Sequence, residues 1–199
     1  GTDVCTVYVV KATGVYTIQN VASGYYLDGG GANIHPDNLT NICQKVRINN
    51  TTTPDYLSQE WKIKYLSNGL YSIRPMHKLD MGLSAPSSDV RLTEIGTTDS
   101  LSGVATNSRW KIYYNGSGYV LQCEGSTART LAPFSNVTIV DALVSALAYS
   151  STTAVQHWTF TRIASPPSGV LFYDKVTGKA VTSRKFVAEG QTKKFKDLG

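Results

Sequence analysis

Gln59-Glu60-Trp61, Ser108-Arg109-Trp110 and Gln156-His157-Trp158 recur along this chain, with 49 and 48 residues between successive tryptophans. Each triplet closes a stretch that opens on a tyrosine: Tyr16-Thr17-Ile18, Tyr71-Ser72-Ile73 and Tyr119-Val120-Leu121. Between opening and close, the central landmarks read as Val46-Arg47-Ile48, Val90-Arg91-Leu92 and Val137-Thr138-Ile139. Three landmarks in the same order at a near-constant period define an internal repeat. One such unit cannot bury its own apolar face, so three must close on one another around a shared core.

Within the units the apolar residues alternate. Trp61, Ile63 and Tyr65 fall on one face, as do Trp110, Ile112 and Tyr114, and as do Trp158 and Phe160 with Arg162 at the end. A period of two is the pattern of a half-buried strand. Asn68-Gly69 and Asn115-Gly116 mark joints between units, since both residue types tolerate positive φ in tight turns. The exception is residues 141–149, where Val140, Leu143, Val144 and Leu147 follow helical spacing behind an acidic first turn, which predicts a short inserted helix.

The units span residues 14–164, and the flanks read differently. Residues 1–13 hold an N-terminal strand in which Val4, Thr6, Tyr8 and Val10 share one side. Ser165-Pro166-Pro167-Ser168-Gly169 breaks the pattern as a linker does. Residues 165–199 are thus a linker and a basic β appendage. Residues 170–199 carry seven basic and three acidic side chains, net +4, which leaves 12 minus 11, or +1, for the rest. An isolated hairpin is marginal in water. The appendage is therefore expected to pair with the N-terminal strand, with Val4, Tyr8 or Val10 against Leu171, Tyr173 or Phe186.

Composition excludes several classes. At 199 residues, 41% hydrophobic and 17% charged, the chain is globular and long enough for a substantial core. No run of about 18 apolar residues predicts a membrane span. The chain opens on Gly1 without a basic and apolar leader, which is expected of a processed polypeptide. Cys5, Cys43 and Cys123 allow three single pairings or none. Sequons at Asn38, Asn49, Asn50, Asn115 and Asn136 fit a secreted glycoprotein. His35, His77 and His157 lack metal-ligand spacing. No nucleophile elbow or Walker loop occurs, and Gly29-Gly30-Gly31 lacks the spacing and helix that cradle phosphate. The chain reads as neither enzyme nor cofactor binder. Lys193-Lys194-Phe195-Lys196 has no stacking surface beside it, so nucleic acid is not an expected partner.

Three units that open on Tyr-x-Ile or Tyr-x-Leu and end in Gln-x-Trp resemble the ricin B-type (R-type) lectins. The stretch from Gly14 through Gly24-Tyr25-Tyr26-Leu27-Asp28 adds to the likeness, which covers residues 14–163. The resemblance implies an all-β fold, the beta-trefoil, in which Trp61, Trp110 and Trp158 are core residues. It also implies a sugar position in each unit. An Asp near the unit's start accepts from adjacent hydroxyls, an Asn or Gln near its end assists, and an aromatic after the central Val-x-Leu stacks on the ring.

Scored against that pattern, unit one keeps Asp28 and Gln59 but has Asn49 at the ring position. Unit two keeps Asp80 after Leu79 and Asn107, with Thr93 at the ring position and Ser108 in place of Gln. Unit three has Ala132 and Val140. Asp28, Tyr26, Gln59, Asp80 and Asn107 are the candidate ligand residues, with Tyr25, His35 or Tyr56 as substitute platforms. Asp28 equally suits a turn cap before Gly29-Gly30-Gly31. The expected function is a carbohydrate-binding, lectin-like module of a secreted protein with degenerate sites, its partners glycans or glycoproteins. Alternatives are an assembly subunit joined to another protein through its terminal strands, or a trefoil protease inhibitor acting through a long loop.

Overall fold

A computed structural model describes residues 7–9, 13–30, 42–52, 54–126, 129–163, 170–174 and 180–183, with the backbone alone at 7–9, 54, 126, 170–174 and 180–183. Unit one supplies β2 (Gly14–Asn20), β3 (Tyr26–Asp28), β4 (Cys43–Lys45) and β5 (Trp61–Ser67), after β1 (Val7–Val9). Unit two supplies β6 (Leu70–Pro75), β7 (Met81–Ser84), β8 (Arg91–Glu94) and β9 (Trp110–Tyr114). Unit three supplies β10 (Tyr119–Cys123), β11 (Arg129–Pro133), β12 (Val144–Ala148) and β13 (Trp158–Arg162).

Strand pairing closes the first and last strands of the units into a ring. β2 pairs with β5 and β13, β6 with β5 and β9, and β10 with β9 and β13, all antiparallel. The remaining strands form the hairpins β3–β4, β7–β8 and β11–β12. A closed six-stranded barrel with three hairpins is the β-trefoil. Asn68 and Gly69 turn β5 into β6 at φ 52° and 76°, as the Asn-Gly reading requires.

Trp61, Trp110 and Trp158 are fully buried at 0% exposure. Their indole Nε1–H groups donate to the carbonyls of Leu27, Leu83 and Leu131 at 3.0, 2.8 and 2.9 Å. This recurring bond satisfies the one polar atom of each ring, and it fixes which residues are equivalent between units. Hairpin register then places Gln44, Leu92 and Ala146 opposite the three leucines.

Two sequence expectations are corrected by that register. The central landmarks are Ile42-Cys43-Gln44, Val90-Arg91-Leu92 and Val144-Ser145-Ala146, whose leading residues are buried to 0, 4 and 2% exposure. Val46, which opened the expected landmark in unit one, and Ile139, which closed that in unit three, are each 63% exposed. The expected helix over residues 141–149 is instead occupied by β12, paired along its length with β11. Val140 and Leu143, half of the helical stripe, are exposed, while Val144 and Ala146 alternate into the core. Completing the third hairpin outweighs the local spacing. Among the described residues there is no α-helix, and a short 3-10 turn, Pro54–Gln59, Thr106–Ser108 or Ala154–Gln156, precedes each tryptophan strand.

The flanks meet in a separate three-stranded sheet of β1, β14 (Val170–Asp174) and β15 (Ala180–Ser183), in the order β1-β14-β15. β1 runs antiparallel to β14 with Tyr8 opposite Tyr173. The expected pairing of N-terminal strand and appendage is thus present as backbone pairing. Val4, Val10 and Phe186 lie outside the described residues.

Candidate functional site

β3 ends at Asp28, whose side chain is almost fully buried at 1% exposure. Its Oδ1 accepts from the Gly30 backbone N–H at 2.7 Å and its Oδ2 from Gln59 Nε2 at 2.9 Å. The first bond caps the turn into the glycine run, where Gly30 has φ 82°. A carboxylate with one donor on each oxygen retains a lone pair on each. It is therefore an oriented acceptor with capacity for hydroxyl groups.

Gln59 is fully engaged. Its Nε2 also donates to the Val46 carbonyl at 2.9 Å, and its Oε1 accepts from the Ile48 N–H at 2.8 Å and from Arg47 at 3.4 Å. It clamps the chain leaving β4 and holds Asp28 in place. Arg47 pairs with Glu60 at 3.1 Å and lies 5.9 Å from the centre of the Tyr26 ring. Tyr26 is half-buried, and Arg47 links its ring to the Asp28–Gln59 pair. A Cβ at Gly29 would stand 3.2 Å from Trp61 and 3.3 Å from His77, so any larger residue there would have to push these rings back by a few tenths of an ångström. Burial holds the His77 imidazole below its ordinary pKa. Tyr25 and Tyr56 are half-buried, and His35 lies outside the described residues.

Unit two departs from expectation. Asp80 is not the counterpart of Asp28: it sits in the turn before β7, its side chain is 44% exposed, and it pairs with Lys78 at 3.7 Å. Trp110 selects Leu83 as the equivalent leucine, which makes Ser84 the equivalent residue. Ser84 Oγ donates to the Asn107 carbonyl at 3.2 Å, and the Asn107 side chain accepts from Ser108 Oγ at 3.4 Å. A spacing signal was available: Leu83 precedes Trp110 by 27 residues, as Leu131 precedes Trp158. In unit one the interval is 34, because of longer connections, and that hid the match.

Unit three repeats the glutamine clamp without the acid. Gln156 Nε2 donates to the Ala148 carbonyl at 2.9 Å and its Oε1 accepts from the Ser150 N–H at 2.7 Å, while Ala132 stands where Asp28 does. Ser108 is too short for that clamp, and a residue the sequence reading missed replaces it. Arg74, 1% exposed, donates to the carbonyls of Leu79, Gly96 and Thr98 and pairs with Asp99 at 2.9 Å. The ring positions, next after Gln44, Leu92 and Ala146, are Lys45, Thr93 and Leu147 rather than Asn49, Thr93 and Val140. None is aromatic.

Burial raises the pKa of the Cys43 thiol to about 11, and Cys123 Sγ lies 3.4 Å from the Asn107 carbonyl; both are buried, and Cys5 lies outside the described residues. Among the sequons, Asn49, Asn50 and Asn136 are exposed. Asn115 is instead engaged through Nδ2 with His157 at 2.7 Å, and Asn38 lies outside the described residues.

The family model described as ricin-type beta-trefoil lectin domain-like matches residues 6–98. No curated protein matches the sequence. Among solved structures, the designed three-fold symmetric protein ThreeFoil is similar at TM-score 0.61 and 20% identity, over 75% of this chain and 99% of its own. The Macrolepiota procera ricin B-like lectin, solved in complex with lactose, is similar at TM-score 0.53 and 18% identity, over 77% of this chain and 99% of its own. Cry35Ab1 is similar at TM-score 0.59 and 20% identity, over 85% of this chain but only 43% of its own. The chain is thus similar to the ricin-type β-trefoil lectin-like family over residues 6–98, and it shares the β-trefoil fold with these solved structures.

Proposed function

We propose that this chain is a carbohydrate-binding module of a secreted protein, with degenerate sugar positions of which unit one is the best preserved. The observation that carries the reading is the Asp28 carboxylate, held by Gly30 N–H and Gln59 Nε2 on a lectin-like trefoil. Ser84 and Ala132 at the equivalent positions, and Lys45, Thr93 and Leu147 where a ring would stack, support the degeneracy. Without a stacking ring, affinity for one monosaccharide is expected to be around millimolar, about −4 kcal/mol. A glycan array on the purified chain tests the reading, with Asp28→Asn as the paired variant. Retention of no glycan even at high immobilised density would refute it.

A second reading, an assembly subunit joined through its flanking strands, is favoured by one observation. Residues 14–163 make up 150 of 199 residues, or 75%, yet the likeness to Cry35Ab1 covers 85% of the chain and so extends past them. The β1-β14-β15 sheet ends on two strand edges, which suit pairing with another chain. Sedimentation across a range of concentrations, with and without residues 165–199, tests it: a monomer throughout removes self-assembly.

A further inference from the structure

Away from Asp28, the leading residues of the three central strands meet at one place. Val144 N–H donates to the Ile42 carbonyl at 2.7 Å, and Asp89 and Ser145 pair as an isolated bridge. A cavity of about 100 Å³ opens here, floored by Ile42, Val90 and Val144 and walled by Leu143, which is 47% exposed. The polar side chains around it are Asp89, Arg91 and Ser145.

Among the described residues these three polar side chains have no side-chain partner. Arg91 Nε is shielded from solvent and makes no hydrogen bond. Ser145 is 6% exposed, and neither its hydroxyl nor the Asp89 carboxylate forms a side-chain hydrogen bond or ion pair among the described residues. Shielded donors in native proteins are normally satisfied, so an unmatched guanidinium nitrogen beside a cavity marks a position for an outside acceptor.

We propose that this cavity is a saccharide position distinct from the Asp28 end of unit one, taking one neutral pyranose residue between Asp89, Arg91 and Ser145. The inference rests on the carbohydrate-binding reading and adds a second place for a sugar. Asp89 accepts from adjacent hydroxyls, Arg91 and Ser145 donate to hydroxyl or ring oxygens, and the aliphatic floor meets the C–H face of the ring. An acid and a base side by side disfavour a ligand with net charge of either sign. At about 30 Å³ per water, the cavity has room for roughly three waters, so it receives the edge of one sugar and not an oligosaccharide.

The test uses methyl glycosides of galactose, glucose, mannose and their 2-acetamido counterparts, titrated into the full chain carrying labelled Ile and Val methyl groups. Saturable shifts at Ile42, Val90 and Val144 are expected. Arg91→Met and Asp89→Asn should each weaken binding about tenfold with the methyl spectrum otherwise native. Asp28→Asn should leave the shifts at the cavity unchanged. If Asp28→Asn abolishes binding while Arg91→Met and Asp89→Asn do not, the cavity proposal is refuted and the lectin reading stands. If no glycoside binds the wild-type chain, the cavity proposal is refuted, and the glycan array decides the lectin reading separately.

Discussion

Arg74→Met probes the polar network that replaces the glutamine clamp in unit two. The substitution keeps an unbranched apolar stem in a site of 1% exposure and removes every donor. It leaves the carbonyls of Leu79, Gly96 and Thr98 without the guanidinium, and Asp99 without its nearest cation at 2.9 Å. Removing one partner of a buried ion pair costs about 3–5 kcal/mol. Asp99 retains Lys62 at 3.3 Å and Ser72 at 3.1 Å, and its side chain is 13% exposed, so the lower end, about 3 kcal/mol, applies. For a chain of this size that lowers Tm by about 6–12 °C. The pH dependence gives a second readout. Burial raises the Asp99 pKa, but Arg74 and Lys62 together hold it below the ordinary value of 3.8. A depressed folded pKa contributes stability that is complete above 3.8 and is lost as pH falls through the folded value. The difference between wild type and variant, followed by denaturant unfolding, should therefore be constant near neutrality and narrow in acid. A loss under about 1 kcal/mol, or a difference that does not narrow, would refute this account of the network.

Other substitutions test the core and its titrating groups. Trp61→Ala, Trp110→Ala and Trp158→Ala should each cost about 3–5 kcal/mol by chemical unfolding, since each ring is fully buried at 0% exposure; three silent variants would overturn the shared core. Tyr71 has a buried hydroxyl without a hydrogen-bond partner, so Tyr71→Phe should stabilise the fold by up to about 1 kcal/mol, and a loss of stability would show that the hydroxyl is satisfied. Burial lowers the pKa of His77 and His157 from 6.5, so both favour the neutral form in the fold and their contribution is complete above pH 6.5 and declines below it. His157→Gln should flatten part of that decline, as His157 Nε2 accepts from Asn115 Nδ2 at 2.7 Å only when neutral.

The trefoil was legible because its determinants repeat. Trp61, Trp110 and Trp158 recur at nearly constant spacing, and strand alternation follows them, so the periodic signal is reinforced three times. The middle of each unit was poorly legible because β-branched triplets are common in this chain. Val46-Arg47-Ile48 and Val137-Thr138-Ile139 look like central strands, yet they lie in connections beyond Gln44 or before Val144. Leu79-Asp80 imitates Leu27-Asp28 in the same way. Only the indole hydrogen bond to Leu83 shows that Ser84 is the equivalent residue. Asp28, Gln59 and Tyr26 could be brought together from sequence because both the opening of unit one, through Tyr26-Leu27-Asp28, and its closing Gln59-Glu60-Trp61 keep the motif. The Arg74 network and the cavity beside Arg91 could not, since their partners are backbone carbonyls and side chains scattered over two or three units.

Units one and three share a glutamine clamp, and unit one sets an acidic residue in front of it. Gln156 and Gln59 hold equivalent chain segments, through Ala148 and Ser150 in one case and Val46 and Ile48 in the other. Gln59 has a second acceptor in Asp28, whereas the residue at that position in unit three is Ala132, 0% exposed. Ala132→Asp would place a carboxylate before Gln156, but it would not rebuild the unit-one arrangement. The donor corresponding to Gly30 N–H is Phe134 N–H, which already bonds the Leu143 carbonyl at 2.7 Å. The new carboxylate would have one donor where Asp28 has two, in an equally buried place, so burial should raise its pKa. A raised folded pKa penalises the charged form. Ala132→Asp should therefore be less stable than wild type at pH 7 and recover part of the deficit as pH falls toward 5. Unfolding midpoints at the two pH values measure this directly. A deficit that is the same at both would mean that Gln156 alone suffices to hold the charge, and that the Gly30 N–H bond is not what sustains Asp28.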